Sequence, residues 1–190
     1  MKPKLIGIIG HARTGKDTIA SRLEEKHGYT RFAFADPLRR LCEKFVDVPF
    51  MDKDIEPYSQ AWRRRWEAFR TQAPEQYRRL LQEVGMSVRD VVDPGAWVRA
   101  FSNHIRSQPE DTLWVVPDVR QWNEAGYIQN NGGVLWSVER PGFEAVNDHR
   151  AEAKIDDLLQ HCPCAARYTN GGDLAALDAF VDRVMEEPDD

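Results

Sequence analysis

One short run near the amino terminus constrains the fold of this chain more than any other feature. The apolar stretch Ile6-Gly7-Ile8-Ile9 leads into Gly10, and Gly15-Lys16 follows five residues later. This spacing is typical of a phosphate-binding loop that joins a β-strand to an α-helix. Glycine adopts backbone conformations that let several peptide N–H groups face one anion, and the helix start adds its positive end. The run therefore predicts that a nucleotide's phosphates bind here; a plain tight turn is the alternative.

The side chains at the end of this loop have expected roles in the same site. Lys16 is a mobile cation for the terminal phosphates. Asp17 stands where such loops usually carry a serine or threonine that binds Mg²⁺, and a carboxylate is also a hard oxygen ligand for this ion. Asp17 is thus a candidate metal ligand, although its charge would equally favour the first turn of a helix. The residues predicted to bind the phosphates are Gly10, Ala12, Arg13, Thr14, Gly15, Lys16, Asp17 and Thr18.

The composition limits the classes of protein that the chain can represent. Its 190 residues suffice for one domain with a core of its own. The net charge of −5 argues against a nucleic-acid partner, and no apolar run approaches the roughly 18 residues of a membrane span. The three cysteines and the lack of a secretory leader predict a reduced, cytoplasmic setting.

The pattern of apolar residues predicts an α/β fold with a parallel sheet. Five short apolar runs are typical of strands, and helical patterns separate most of them. Strands that alternate with helices form parallel sheets covered on both faces. The predicted strands are 4–10, 29–35, 112–117, 134–138 and 166–169, and the helices around them are 14–27, 121–131, 151–160 and 173–185.

The segment between the second and third predicted strands breaks this alternation, because its patterns are all helical. Trp62, Trp66 and Phe69 lie at i, i+4 and i+7, which places them on one helix face. Such spacing favours packing in a core; stacking of the tryptophans on a nucleobase is the alternative. The helical patterns cover 37–46, 58–71, 74–86 and 94–107. The sequence thus predicts a single domain over 1–190, with its core in 1–36 and 111–190 and a helical insertion at 37–110.

Charged residues follow two of the predicted strands. Asp118 and Arg120 come directly after the third strand, which is predicted to end at Pro117. Ligands of open α/β sheets bind at the carboxyl ends of strands, and an acid there can hold Mg²⁺ or its waters. Asp118 is therefore a candidate for metal and substrate binding; the alternative is that it caps the next helix. Asp36 follows the second strand, before a helix predicted to begin at Pro37, and capping alone would explain it.

A loop that contains proline and glycine, with an arginine at each end, suits a mobile lid. Arg140 precedes Pro141-Gly142, and Arg150 closes the segment. Phosphoryl transfer needs cations on the transferred group and exclusion of water. A surface role is the alternative for each arginine. The predicted catalytic residues are Lys16, Arg120, Arg140 and Arg150, and the lid is predicted at about 140–157.

Taken together, these segments resemble the deoxynucleoside monophosphate kinases of bacteriophages and their bacterial relatives. The most specific matches are Phe-Ala-Asp-Pro-Leu (34–38) and Asp-Val-Arg-x₂-Asn-Glu-Ala (118–125), because the phosphate loop alone is common to many ATPases. The other matches, in chain order, are Gly-x₄-Gly-Lys-Asp-Thr (10–18), Leu-Leu-Gln-Glu-Val-Gly (80–85), Asp-Pro-Gly-Ala-Trp-Val-Arg (93–99), Val-Glu-Arg-Pro-Gly (138–142) and Asn-Gly-Gly-Asp-Leu (170–174).

The resemblance implies an activity, a fold and a set of ligands. The activity is transfer of the ATP γ-phosphoryl group to a deoxynucleoside 5′-monophosphate, with Mg²⁺, to give the diphosphate and ADP. The fold is a P-loop NTPase three-layer sandwich whose five strands lie in the order 2-3-1-4-5. The family's aspartate after the lysine matches Asp17. In the lid, Ala151 replaces the serine of the family, beside Asp148, His149 and Glu152.

The resemblance also implies an acceptor site, and it is consistent with a homodimer in the cytoplasm, that of the host if the chain is phage-encoded. Two other classes stay open: a phosphomevalonate or dephospho-coenzyme A type of kinase, and a non-catalytic ATP-sensing module. The residues expected to bind the acceptor nucleotide are Asp36, Arg39, Arg89 and Trp97, together with Asp118. The segment Asn170-Gly171-Gly172 is expected to border the adenine of ATP.

Overall fold

The structure is a computed structural model and describes residues 2–45, 55–142 and 150–186, with the side chains of all of these except 150–153. In chain order its elements are β1 (Leu5–Ile9), α1 (Lys16–His27), β2 (Thr30–Arg31), α2 (Ala35–Cys42), α3 (Gln60–Gln72), α4 (Pro74–Ser87), a π-helical turn (Val88–Val92), α5 (Ala96–Arg106), β3 (Trp114–Val119), α6 (Trp122–Asn130), β4 (Val134–Glu139), α7 (Arg150–His161), β5 (Ala166–Thr169) and α8 (Leu174–Glu186). They form two compact units. The sheet unit comprises Met1–Ala33 and Gln108–Asp190, and the helical unit comprises Phe34–Ser107.

The sheet unit is a three-layer α/β sandwich. Its five described strands are all parallel and lie in the order β2-β3-β1-β4-β5. The predicted fold class and strand order are therefore confirmed. The central strand β1 is buried along its whole length, as expected for a parallel sheet with helices on both faces. Ile6 and Ile8 of β1 share one core cluster with Leu23 of α1 and Phe180 of α8.

The second strand is much shorter than the sequence predicts. Only Thr30 and Arg31 pair with β3, and the N–H of Phe32 still donates to the Val115 carbonyl at 3.1 Å. The chain then turns directly into α2, which begins at Ala35. The prediction of a strand to residue 35 and of a helix start at Pro37 was wrong, because proline is tolerated anywhere in the first turn of a helix and does not fix its start.

The third strand has the predicted length of six residues but lies two residues later in the chain, and it contains an irregularity. It continues to Val119, so that Pro117 and Asp118 lie inside it. Gly7 pairs with Val116 and Ile9 with Val119, which leaves β3 one residue longer than β1 over this stretch. Such a bulge tolerates proline, which cannot donate to a neighbouring strand. The predicted end of the strand at Pro117 was wrong for this reason.

The helical unit has a core rich in aromatic residues. Trp62, Trp66 and Phe69 of α3 pack with Trp97 of α5 in one buried cluster. The indole N–H groups of Trp62 and Trp66 both donate to the buried carboxylate of Glu43. The polar atoms of these tryptophans are therefore satisfied inside the unit, which supports a packing role. Among the residues described in either unit, no helix combines the length and apolar character needed to cross a bilayer.

Candidate active site

The loop between β1 and α1 has a backbone conformation that requires glycine at two positions. Gly10 has φ 156° and Gly15 has φ 109°. A Cβ atom on Gly10 would lie 2.3 Å from the Val138 carbonyl oxygen, and one on Gly15 would lie 2.7 Å from Nδ2 of Asn170. Between them Arg13 also has a positive φ of 63°. Such a conformation is uncommon for a residue with a side chain and occurs most often at ligand-binding sites.

Two side chains of the loop region donate hydrogen bonds to one backbone carbonyl, that of His11. The Thr14 hydroxyl donates to the His11 carbonyl at 2.9 Å, and the buried Lys16 ammonium donates to the same oxygen. Helix α1 begins at Lys16, and its N-cap, Gly15, has no side chain to cap the first turn. The helix end and the buried lysine together make this loop attractive to an anion.

A cavity of about 340 Å³ opens beside the loop, within the sheet unit. Its wall combines the cations of Arg13, Lys16 and Arg140 with apolar surface from Leu177 of α8. This combination fits a ligand with an anionic end and a flat apolar end. The residues that line the cavity are Arg13, Gly15, Lys16, Asp17, Thr18, Arg140, Asn170, Gly172, Asp173, Leu174 and Leu177. Five of the eight predicted loop residues thus line the cavity together with Arg140 and Asn170, whereas Gly10, Ala12 and Thr14 are not among its lining residues.

The carboxylate of Asp17 has a partner that the sequence did not reveal. Arg31 of β2 donates from Nη2 to Oδ1 of Asp17. The Asp17 side chain is 56% exposed at the cavity wall, so its hard oxygens can face a metal ion from there. The guanidinium also offsets the negative charge that Asp17 would otherwise place beside bound phosphate. Arg31 lies fourteen residues after Asp17 and is part of no motif, so the sequence could not have indicated this ion pair.

Asp118 lies at the edge of the sheet where the loop begins. It is half-buried and precedes Val119, which pairs with Ile9 at the end of β1. The alternative that Asp118 caps the next helix does not hold, because the N-cap of α6 is Gln121. Its position at the carboxyl end of the strand beside β1 is the position of ligand-binding acids in open α/β sheets. Asp17 and Asp118 therefore offer carboxylate oxygens suited to Mg²⁺.

Glu124 holds the backbone at Arg120 and was missed by the sequence analysis. Its side chain is 2% exposed, and Oε2 accepts the N–H groups of Arg120 at 2.8 Å and Gln121 at 3.1 Å. These bonds belong to a capping box at the start of α6. The Gln-x-x-Glu spacing at 121–124 was the available signal. Glu124 fixes where the predicted catalytic Arg120 leaves the sheet.

The predicted lid is described only at its two ends. Arg140 is half-buried in the cavity wall. Arg150 begins α7, but its side chain lies outside the described part, as do Asp148 and His149 entirely. Helix α7 is tied to the phosphate loop by His11, whose Nε2 lies 2.8 Å from Oδ1 of Asp156. The helix that follows the lid segment is therefore in direct contact with the loop.

Two of the predicted acceptor residues meet in the helical unit. Asp36 is 1% exposed, and Arg39 Nη1 lies 2.5 Å from its Oδ1. Arg39 also donates from Nη2 to the Tyr77 hydroxyl at 2.8 Å. Burial raises the pKa of Tyr58, with the negative charge of Asp36 adding to it. Burial lowers the pKa of His104, although Asp36 opposes this shift. We call these five residues the polar cluster.

The other two predicted acceptor residues lie elsewhere in the helical unit. Trp97 is 5% exposed, and its indole N–H donates to the Gly85 carbonyl at 3.2 Å. This placement supports packing in the core, which was the alternative to stacking on a base. Arg89 is half-buried in the π-helical turn.

A parallel sheet in the order 2-3-1-4-5, with a glycine-bounded lysine loop after its central strand, defines the P-loop NTPase fold. A protein of Acanthamoeba polyphaga mimivirus named "Putative deoxynucleotide monophosphate kinase" is 31% identical to this chain over 173 residues, which are 83% of this chain and 84% of the mimivirus protein. The chain therefore belongs to the deoxynucleotide monophosphate kinase family, as its motifs indicated. No protein-family model matches it.

Solved structures with a similar fold are less similar to this chain in sequence. Dephospho-CoA kinase from Campylobacter jejuni is 11% identical, with a TM-score of 0.45 over 96% of both chains. The protein TT1252 from Thermus thermophilus is 18% identical, with a TM-score of 0.47 over 97% of both chains. Similarities of this size carry no conclusion about substrate.

Proposed function

We propose that this protein transfers the γ-phosphoryl group of ATP to a deoxynucleoside 5′-monophosphate and releases the diphosphate and ADP. The cavity beside the lysine loop is the observation that carries the proposal. There Lys16, Arg13 and Arg140 face the same space as the start of α1. Three cations and a helix end suit a polyphosphate, and membership of the family supports a nucleotide acceptor.

On the donor side, the loop would hold the phosphates while the lysine follows the group that is transferred. The Lys16 ammonium donates a hydrogen bond to the His11 carbonyl. Rotation of the side chain can exchange this bond for one to a phosphate oxygen. Arg140 would offset charge from the opposite wall of the cavity. No strong base is needed, because the acceptor phosphate is already an anion, so positioning and electrostatics supply most of the rate.

Asp17 and Asp118 would hold Mg²⁺, directly or through water. The donor set fits, since both are carboxylates, one exposed at the cavity wall and one half-buried at the carboxyl edge of the sheet. When bound, the ion neutralises phosphate charge and holds the reacting oxygens in line. Arg31 of β2 would hold the Asp17 carboxylate in place, since it donates to one of its two oxygens.

On the acceptor side, we assign the nucleoside monophosphate to Asp36 and Arg39. Arg39 is half-buried and positioned from two sides, by Asp36 at 2.5 Å and by the Tyr77 hydroxyl at 2.8 Å. A guanidinium held in this way loses little side-chain entropy when it binds a phosphate. Arg120 and Arg150 would add charge for the transferred group.

The test is a screen of acceptors with ATP and Mg²⁺, read as ADP release. The panel contains dTMP, dGMP, dCMP and dAMP, their ribose forms, phosphomevalonate and dephospho-coenzyme A. We expect turnover that depends on base identity and is higher with at least one deoxynucleotide than with its ribose form. Turnover with phosphomevalonate or dephospho-coenzyme A alone would replace the proposed acceptor. ATP binding without acceptor-dependent ADP would instead indicate a sensing module.

A further inference from the structure

Asn170 is buried between the phosphate loop and the loop that follows β5. Its side chain is 7% exposed. Its Nδ2 donates to the Thr14 carbonyl at 2.7 Å, and its Oδ1 accepts the N–H of Gly172 at 2.8 Å. Its own backbone N–H donates to the Glu139 carbonyl at 2.7 Å. Both ends of the amide are thus engaged with the protein's backbone, so the side chain is rigidly placed against the loop.

The bond to Thr14 fixes the direction of the next peptide N–H. The described residues contain no cis peptide bond, and in a planar trans peptide the carbonyl and the N–H point in opposite directions. Because the Thr14 carbonyl points to Asn170, the N–H of Gly15 must point away from it. Gly15 lies at the cavity wall, and its N–H is one of the groups that a bound phosphate would meet.

Asn170 also fills the space that any side chain at position 15 would need. The Cβ of an alanine there would lie 2.7 Å from Nδ2 of Asn170 and 3.3 Å from Leu177. A rotation of the Thr14–Gly15 peptide would leave the Asn170 amide without its acceptor, which is unfavourable for a buried side chain. Asn170 and the glycine at position 15 therefore hold each other in one conformation.

We propose that Asn170 is a positioning residue, which acts on the phosphates of ATP by aiming the Gly15 N–H into the site. This differs from the expected place of the residue beside the adenine, because the nitrogen and the oxygen of its amide each already bind a backbone partner. The proposal rests on the proposed binding of ATP at the loop. It predicts that loss of Asn170 weakens binding of any polyphosphate, whether or not a base is attached.

Inorganic tripolyphosphate separates the two roles, because it has phosphates and no base. Binding of ATP and of tripolyphosphate, each with Mg²⁺, is measured by calorimetry for the wild type, Asn170→Ala and the exposed control Asn130→Ala. We expect Asn170→Ala to raise both dissociation constants by a similar factor, on the order of tenfold, and the control to change neither. A loss of ATP affinity with unchanged tripolyphosphate affinity would overturn the proposal in favour of contact with the base.

A second measurement follows the proposed group itself. In a ¹H–¹⁵N spectrum, the Gly15 amide of the wild type should shift strongly when tripolyphosphate binds, and in Asn170→Ala it should shift much less. An equal shift in both proteins would refute the positioning role. Should the alanine variant fail to fold, Asn170→Asp can replace it, since a carboxylate still accepts from Gly172 but donates nothing to Thr14. If the wild type binds neither probe, the proposed function fails, and not the role of Asn170 alone.

Discussion

Replacing Lys16 by methionine removes a buried cation from the phosphate site and keeps most of the side chain's volume. The ammonium lies against the His11 carbonyl at the cavity wall. Two unit charges 4 Å apart interact by roughly 4 kcal/mol at an effective dielectric constant of about 20. Because about 1.4 kcal/mol corresponds to a tenfold change in rate, we expect the kcat of Lys16→Met to fall on the order of 10³-fold.

The assay is ADP release with the best acceptor from the screen, beside urea unfolding of each variant. Lys16→Met should remain folded, because methionine keeps most of the side chain's volume and relieves the burial of a charge. Lys26→Met is the matched control on the same helix. Lys26 pairs with Asp182 at 2.9 Å on the exposed side, and such pairs contribute little, so kcat should stay within about twofold of wild type.

A folded Lys16→Met protein with kcat within tenfold of the wild type would refute this reasoning. Unchanged kcat with a raised dissociation constant for ATP would mean that the lysine only binds the substrate and does not stabilise the transition state. A fall in kcat in the Lys26→Met control as well would point to a change in α1 as a whole.

Three further substitutions, one of them with a matched control, test the surrounding structure. Asp118→Asn should raise the Mg²⁺ concentration needed for half-maximal activity several-fold, because a charged oxygen ligand is lost. Glu124→Ala should lower the free energy of unfolding by about 2 to 4 kcal/mol, since two partly buried N–H groups lose a charged acceptor. Gly10→Ala should cost more than about 2 kcal/mol, because its Cβ would meet a carbonyl at 2.3 Å, whereas Gly28→Ala, with open space at φ 76°, should cost about 1 kcal/mol.

Each of these expectations has a result that would contradict it. An unaltered Mg²⁺ titration of Asp118→Asn would remove that residue from the metal site. A Glu124→Ala protein that unfolds at the wild-type urea concentration would show that its carboxylate does not stabilise the start of α6. Equal destabilisation by Gly10→Ala and Gly28→Ala would mean that the loop relaxes around the added methyl group.

The fold could be predicted from the sequence alone wherever the pattern of apolar residues and a short motif indicated the same structure. The loop from Gly10 to Thr18 needs two glycines for steric reasons that are visible in its spacing. The strand order came from resemblance and not from the pattern, because which strands become neighbours depends on packing over the whole chain. The length of β2 was mispredicted, since an apolar run up to Phe34 is compatible with a strand or with the buried start of a helix.

The partners of the site residues could not be predicted in the same way. The bond between Asn170 and Thr14 joins positions 156 residues apart, and the pair Asp17–Arg31 depends on how β2 lies beside α1. A polar residue next to two glycines has the pattern of a turn, so nothing local marks Asn170 as buried. For Trp97 the sequence left two roles open, because helical spacing is compatible with packing in the core and with stacking on a base.

The extra residue in β3 has a consequence for how this strand can change. Side chains of a strand alternate between its two sides, and an added residue reverses that alternation beyond it. Here Val119 is buried and Asp118 is partly open to solvent. The extra residue is absorbed between the pairs Gly7–Val116 and Ile9–Val119, so β3 is back in register with β1 where Val119 is buried. A chain without Pro117 would keep both pairs and would lose only the local bend that a bulge gives to its strand. The bulge therefore sets the direction in which β3 leaves the sheet, directly before the half-buried Asp118.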